Sequence, residues 1–270
     1  IVPPPDITIE SDSSTLGWGC VMGPQTARGD WSLDEQQLHI NVLELKAAFF
    51  ALQVFCKNKR NLHVRLLLDN TTAIACINKA GSTKPLLLNL TKDLFAWTES
   101  RSLLVSAAHL PGVQNVRADK ESRTHNPDIE WMLNKDVFDL ICSTFGRPEV
   151  DMFASRLNHQ LEQYVSWHPD PNARAIDAFK QDWSNIYIYL FPPFSLIAAC
   201  LKKLEEEGGE AVLVAPKWQT RPWYTTLQRL LAGKPLPLPH QCVHLPQRKK
   251  RAYPKLQLHA WPLSAKHMQT

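Results

Sequence analysis

Asp12, Glu44, Asp69 and Asp119 each stand at the edge of an apolar run, in local sequence that suits the end of a strand or the start of a helix. Acids avoid such company unless something offsets their charge, and the strongest partner for several together is a hard divalent cation. Taken singly, Asp12 and Asp119 read as ordinary caps or loop acids. Glu44 reads as the partner in a capping box opened by Asn41. Asp69, after six strand residues and before Asn70-Thr71-Thr72, points more clearly to chemistry. Together the four could hold two cations, a device that hydrolyses phosphodiesters by activating water and neutralising charge on the phosphate. Spacing alone leaves the single and the joint readings open.

The elements that must position these acids follow an α/β order. Strands are expected over 7–12, 17–22 and 29–31. A helix follows from Asn41 to about residue 57, with Leu43, Ala47, Phe50, Ala51 and Val54 on its apolar face. A nearly continuous apolar strand over 63–68 ends on Asp69, a helix through 73–77 closes near Gly81, and Pro85 begins another. The strand at 103–108 leads to His109, a glycine-bearing loop, and Asp119 at the start of a short helical stretch. The polar, proline-punctuated stretch 122–130 reads as a linker. Beyond it, a strand at 186–190, a helix from Ser195 to Gly208-Gly209 and a strand at 211–215 form the βαβ pattern of a largely parallel sheet. The expected domains are therefore 1–125 and 131–233, with 234–270 a proline-rich basic tail or linker.

Residues 1–125 resemble the ribonuclease H domain of reverse-transcribing elements. The resemblance rests on Ser11-Asp12-Ser13-Ser14 with Gly17-Trp18-Gly19, on Ile40-Asn41-Val42-Leu43-Glu44-Leu45, on Leu67-Leu68-Asp69-Asn70-Thr71-Thr72-Ala73, and on the run from His109 through Asn115 to Asp119. It implies a mixed sheet with flanking helices and hydrolysis of RNA paired to DNA. It also implies Asp12, Glu44, Asp69 and Asp119 as ligands of two Mg²⁺ ions (Mn²⁺ being the alternative) and His109 as a mobile proton shuttle. Ser13, Ser14, Asn70 and Thr71, near the acids, are the candidate hybrid contacts, the RNA strand being distinguished by its 2′-hydroxyls; Asn115 orders the returning loop or contacts the nucleic acid. After the last acid the family usually continues as an apolar-faced helix, whereas this chain reads Lys120-Glu121-Ser122-Arg123. Lys79, Lys84 and Lys92 are too scattered for a strong hybrid-binding patch.

The second half resembles the methyltransferase-like domain that follows ribonuclease H in DIRS-type, tyrosine-recombinase retrotransposons. Asp151-Met152-Phe153-Ala154, Asp177-Ala178-Phe179, Asp182-Trp183, Phe191-Pro192-Pro193-Phe194 and Ala215-Pro216-Lys217-Trp218 carry it. It implies a smaller Rossmann-like domain related to DNA adenine methyltransferases. Phe194 keeps the base-stacking position, but Phe191 replaces the polar acceptor for the adenine amino group. Active methylation is therefore not the leading expectation, and the aromatic stripe suits core packing equally well.

Composition bounds these readings without choosing among them. The chain has 270 residues, 44% apolar, with a formal charge of +4, which is compatible with nucleic acid but does not require it. Six widely spaced cysteines without a CxxC pair suit buried thiols, and no apolar stretch reaches the roughly 18 residues of a membrane span. The opening Ile1-Val2-Pro3-Pro4-Pro5 reads as a cut from a longer polypeptide. The expected setting is intracellular, nuclear at some stage, between an upstream reverse transcriptase domain and a downstream recombinase. The basic run Arg248-Lys249-Lys250-Arg251 suits phosphate contact, nuclear import or plain solvation. A noncatalytic nucleic-acid-binding or assembly module is the principal rival.

Overall fold

In the computed structural model, which describes residues 4–124, 131–244 and 256–266, two successive turns fold the start of the chain into an antiparallel ribbon. Its strands are β1 (Ile7–Ser13), β2 (Gly17–Met22) and β3 (Gln25–Asp30). Helix α1 (Ile40–Cys56) then crosses over to β4 (His63–Leu68), which lies parallel to β1. Helices α2 (Thr71–Asn78) and α3 (Pro85–Glu99) precede β5 (Leu104–His109), parallel to β4, and α4 (Val116–Arg123) follows. The sheet order is β3-β2-β1-β4-β5. This is the mixed sheet with flanking helices that the resemblance implied.

Helix α1 is buried nearly all round, so Ala47, Ala48 and Ala51 lie under large neighbours instead of facing solvent. Phe50 packs edge-on to Trp18 at 5.4 Å and against Trp31 at 5.6 Å. Such aromatic contacts add to the burial energy and fix the helix over the sheet. Three boundaries differ from the sequence expectation. His39, not Asn41, caps α1, its Nδ1 accepting from the Asn41 backbone at 3.1 Å, so Glu44 lies beyond the capping-box position. His109 ends β5 instead of opening a loop, because β4 pairs with it as far as Leu68. Helix α4 starts at Val116 and keeps Ser122 and Arg123, so the first part of the expected linker is helix.

The second unit takes residues 127–168 and 173–270, while 169–172 cluster with the first. In chain order it contains β6 (Met132–Leu133), α5 (Lys135–Phe145), β7 (Val150–Asp151), β8 (Val165–Ser166), β9 (Ala175–Ile176) and β10 (Tyr187–Leu190). Then come α6 (Ile197–Glu207), β11 (Glu210–Pro216), α7 (Trp223–Arg229), β12 (Leu236–Pro237), β13 (Val243–His244) and β14 (Leu258–Ser264). Its main sheet has the order β12-β14-β11-β10-β7, with β7, β10 and β11 parallel. Alternate residues of β11 enter different cores, Ala211, Leu213 and Ala215 with α6, Val212 and Val214 with α5. A strand covered on both faces reads as a continuous apolar run, and this one does.

The expected tail is not peripheral. Residues 258–264 form β14, antiparallel to β11 and inside the sheet. Pro262 lies within this strand, and its carbonyl accepts from Ala232 at 2.9 Å. Within a strand a residue's N–H side and C=O side coincide, so the missing donor takes nothing from the β11 ladder. The basic run 248–251 lies outside the described residues. No helix among those described is long and apolar enough to cross a membrane.

Candidate metal centre

Parallel register brings two acids together. β1 and β4 pair Ile7 with Val64 and Glu10 with Leu67. The same offset carried two residues on sets Asp12 beside Asp69. Glu44 comes from the second turn of α1, the helix packed over β1. Each of these three offers a carboxylate oxygen, and the three atoms lie within 4.8 Å of one another. Asp12 and Glu44 are each 5% exposed, and Asp69 is half-buried.

So close a set of acids resists ionising together. Burial, then repulsion from Asp12 and Asp69, pushes the Glu44 carboxyl up to about 9, against one hydrogen bond from the Ser13 backbone. Asp12 is also raised, by burial first; a hydrogen bond from Ser122 opposes this, Asp69 and Asp119 add to it, and Arg123 counters. Oε2 of Glu44 is buried with no hydrogen-bond partner. An unpartnered buried oxygen facing two further carboxylates is costly as it stands. A hard cation with oxygen ligands would satisfy it, so the three residues fit such an ion.

Asp119 is not part of this close group. It lies within α4, its Oδ1 accepting from Arg123 Nε at 2.7 Å, yet near enough for its charge to act on Asp12. His109 is exposed and paired with Leu68, one residue short of Asp69. The loop between them and α4 closes on the site: a Cβ on Gly112 would lie 3.2 Å from Asp69 Oδ2, so only glycine passes without displacement.

Several expected hybrid contacts have partners within the fold. Ser14 Oγ lies 2.8 Å from the Ser122 carbonyl and accepts from the Gly17 backbone at 3.0 Å, tying the β1–β2 turn to α4. Asn70 caps α2, accepting from Ala73 N at 3.0 Å while donating to Asn41 Oδ1 at 3.0 Å. Asn115 is fully buried and donates to the Ser11 carbonyl at 3.0 Å. Ser13 is buried, and its hydroxyl donates to the Ser14 carbonyl at 3.0 Å. Thr71, the first residue of α2, is exposed.

Two residues near the acids escaped sequence reasoning, Ser122 and Arg123, because DKESR shows no apolar period to extend the helix through them. The spacing Asp119, Ser122, Arg123 (i, i+3, i+4) was the available signal.

The second ordered motif set has a different environment. Asp151 is buried at the end of β7, and Phe194 meets Trp218 edge-on at 5.4 Å. Trp131, Phe191, Phe194 and Cys242 help to line a cleft of about 130 Å³. Within the aromatic stripe, Trp183 and Tyr189 are 0% and 1% exposed, and Phe191 and Phe194 also pack against the buried clusters.

The first unit, then, is a mixed-sheet α/β domain with a carboxylate cluster able to coordinate a metal ion. Several solved structures show a partial likeness to this chain. The N-terminal RNase H domain of rv2228c from Mycobacterium tuberculosis, solved as a fusion with maltose binding protein, shares 19% identity; the match covers 43% of this chain and 88% of that one, at a TM-score of 0.36. RNase H1 from Halobacterium salinarum NRC-1 shares 16%, over 43% and 92%, at 0.37. LC11-RNase H1, solved with an RNA/DNA hybrid, shares 18%, over 43% and 93%, at 0.37. These superpositions are too loose to bear on activity, which has to be read from the site. No family model and no curated protein matches the chain.

Proposed function

We propose that the first unit is a metal-dependent nuclease that hydrolyses the RNA strand of RNA–DNA hybrids. The observation carrying this is the triad of Asp12 and Glu44, both buried, with half-buried Asp69, and its unpartnered Glu44 oxygen. Bound there, one or two Mg²⁺ ions would activate water and neutralise charge developing on the phosphate. Asp12, Glu44 and Asp69 would hold the first ion, and Asp119, released by Arg123, would help hold a second. His109, exposed at the end of β5, would carry a proton to or from solvent at its imidazole. Among the expected hybrid contacts, Thr71 has the exposed hydroxyl best able to meet a 2′-hydroxyl.

The retroelement setting, the polymerase and recombinase neighbours, and the methyltransferase-related origin of the second unit have the sequence motifs as their support. That unit then acts in binding or bracing, since Phe191 offers no acceptor for an adenine amino group. The test is cleavage of an RNA–DNA hybrid by the full chain with and without Mg²⁺, beside Asp69→Asn. Single-stranded RNA and duplex DNA serve as controls. Undiminished cleavage by the variant, or none by the wild type in Mg²⁺ or Mn²⁺, sinks the reading.

A further inference from the structure

Ser122 is 1% exposed, and its hydroxyl lies 2.7 Å from Asp12 Oδ2. The same hydroxyl lies 2.9 Å from the Asp119 carbonyl, one turn back. It has a single proton to give, and the ionised, nearer carboxylate is the stronger acceptor. A serine bonded only to the preceding turn would serve the helix alone. The contact with Asp12 instead spans 110 positions of chain and joins α4 to β1.

The surroundings hold this hydroxyl in place. Gly19 on β2 lets α4 approach to backbone contact, since a Cβ there would stand 2.4 Å from the Ser122 nitrogen. The Ser122 carbonyl accepts from Ser14 Oγ at 2.8 Å, and neighbouring Glu121 pairs with Arg28 at 3.1 Å. Asp12 therefore meets a donor whose position is set from three directions. With Oδ2 engaged, the carboxylate cannot turn freely.

We infer that Ser122 is a positioning residue of this site: its hydroxyl orients the Asp12 carboxylate so that Asp12, Glu44 and Asp69 accept a divalent cation without rearrangement. This rests on the metal-dependent nuclease reading above. It also makes α4 more than the carrier of Asp119.

The experiment uses the full chain and Mn²⁺ as probe, with bound ion measured by loss of the free-ion electron paramagnetic resonance signal. Hybrid cleavage is followed in parallel as a function of Mg²⁺. Ser122→Ala should weaken Mn²⁺ binding about tenfold, the order of one hydrogen bond to a charged group. The Mg²⁺ needed for half-maximal cleavage should rise in step, while turnover at saturating Mg²⁺ stays within about twofold of wild type. Ser122→Thr should bind Mn²⁺ more tightly than the isosteric Ser122→Val, a comparison that isolates the hydroxyl even if Ser122→Ala fails to fold. Equal Mn²⁺ affinity with and without the hydroxyl, in a wild type that binds and cleaves, overturns the inference and leaves the nuclease reading standing. A wild-type chain that neither binds Mn²⁺ nor cleaves overturns both.

Discussion

Glu44 in the first unit and Asp151 in the second are both almost wholly buried carboxylates, 5% and 2% exposed, but they face different groups. Asp151 Oδ1 accepts from Phe153 N at 3.3 Å and Oδ2 from Gln160 N at 3.1 Å. Burial raises it to about 7, and these two backbone hydrogen bonds hold it back. Glu44 meets two further acids, rises to about 9 and keeps Oε2 without a donor. A buried acid therefore does not mark chemistry by itself. Asp151 organises the loop that follows it, whereas the Glu44 cluster is one that could hold a metal ion.

Breaking each acid separates the two roles. The largest effect expected is from Asp69→Asn, which should lower hybrid cleavage on the order of 10²–10³-fold, since the ion supplies several kcal/mol to the transition state. Asp151→Asn should leave cleavage per folded molecule within about twofold, and would equate the two regions if it did not. That second substitution turns an amide donor toward a backbone N–H, so it should destabilise the second unit by about 1–3 kcal/mol. Urea unfolding followed by tryptophan fluorescence would show the shift.

The pH response sharpens the contrast. In metal-free protein the folded chain keeps a proton on Glu44 that the unfolded chain releases near its ordinary value of 4.5. Its contribution to stability is complete below that pH and falls as pH rises toward about 9. Asp151 behaves in the same sense but only up to about 7, so the decline above that belongs to Glu44. Mg²⁺ should flatten the stability profile between about 7 and 9; a profile indifferent to Mg²⁺ there would remove the distinction. A small effect is also expected from Arg123→Gln. Its pair with Asp119 is largely exposed, and such pairs contribute at most about 1 kcal/mol, so metal-saturated cleavage should change only a few-fold. A hundredfold loss would instead place Arg123 on the substrate.

Much of the first unit was legible in local sequence. The apolar run before Asp69 and the periodic face after Asn41 located β4 and α1, because strand and helix periods are properties of neighbouring residues. The second unit's β10–α6–β11 was legible for the same reason. The cap at His39 was not, since Asn41 is by type the stronger capping residue, yet its amide goes to Thr72 Oγ1 at 3.2 Å. Residues 258–264 were not, because proline normally opposes an interior strand and only the direction of the Pro262 carbonyl shows why it is tolerated.

The order and chemical type of the acids were determined by the sequence itself, together with the elements that carry them. Only the tertiary structure decided which acids meet. Asp12 and Asp69 converge through the register of β1 on β4, and Glu44 through the packing of α1. Asp119 stays outside the close group, engaged by Arg123, and Ser122, unremarkable in the linear chain, comes to hold Asp12. Register and helix docking bring together residues far apart in sequence, and local periodicity carries no information about such pairs.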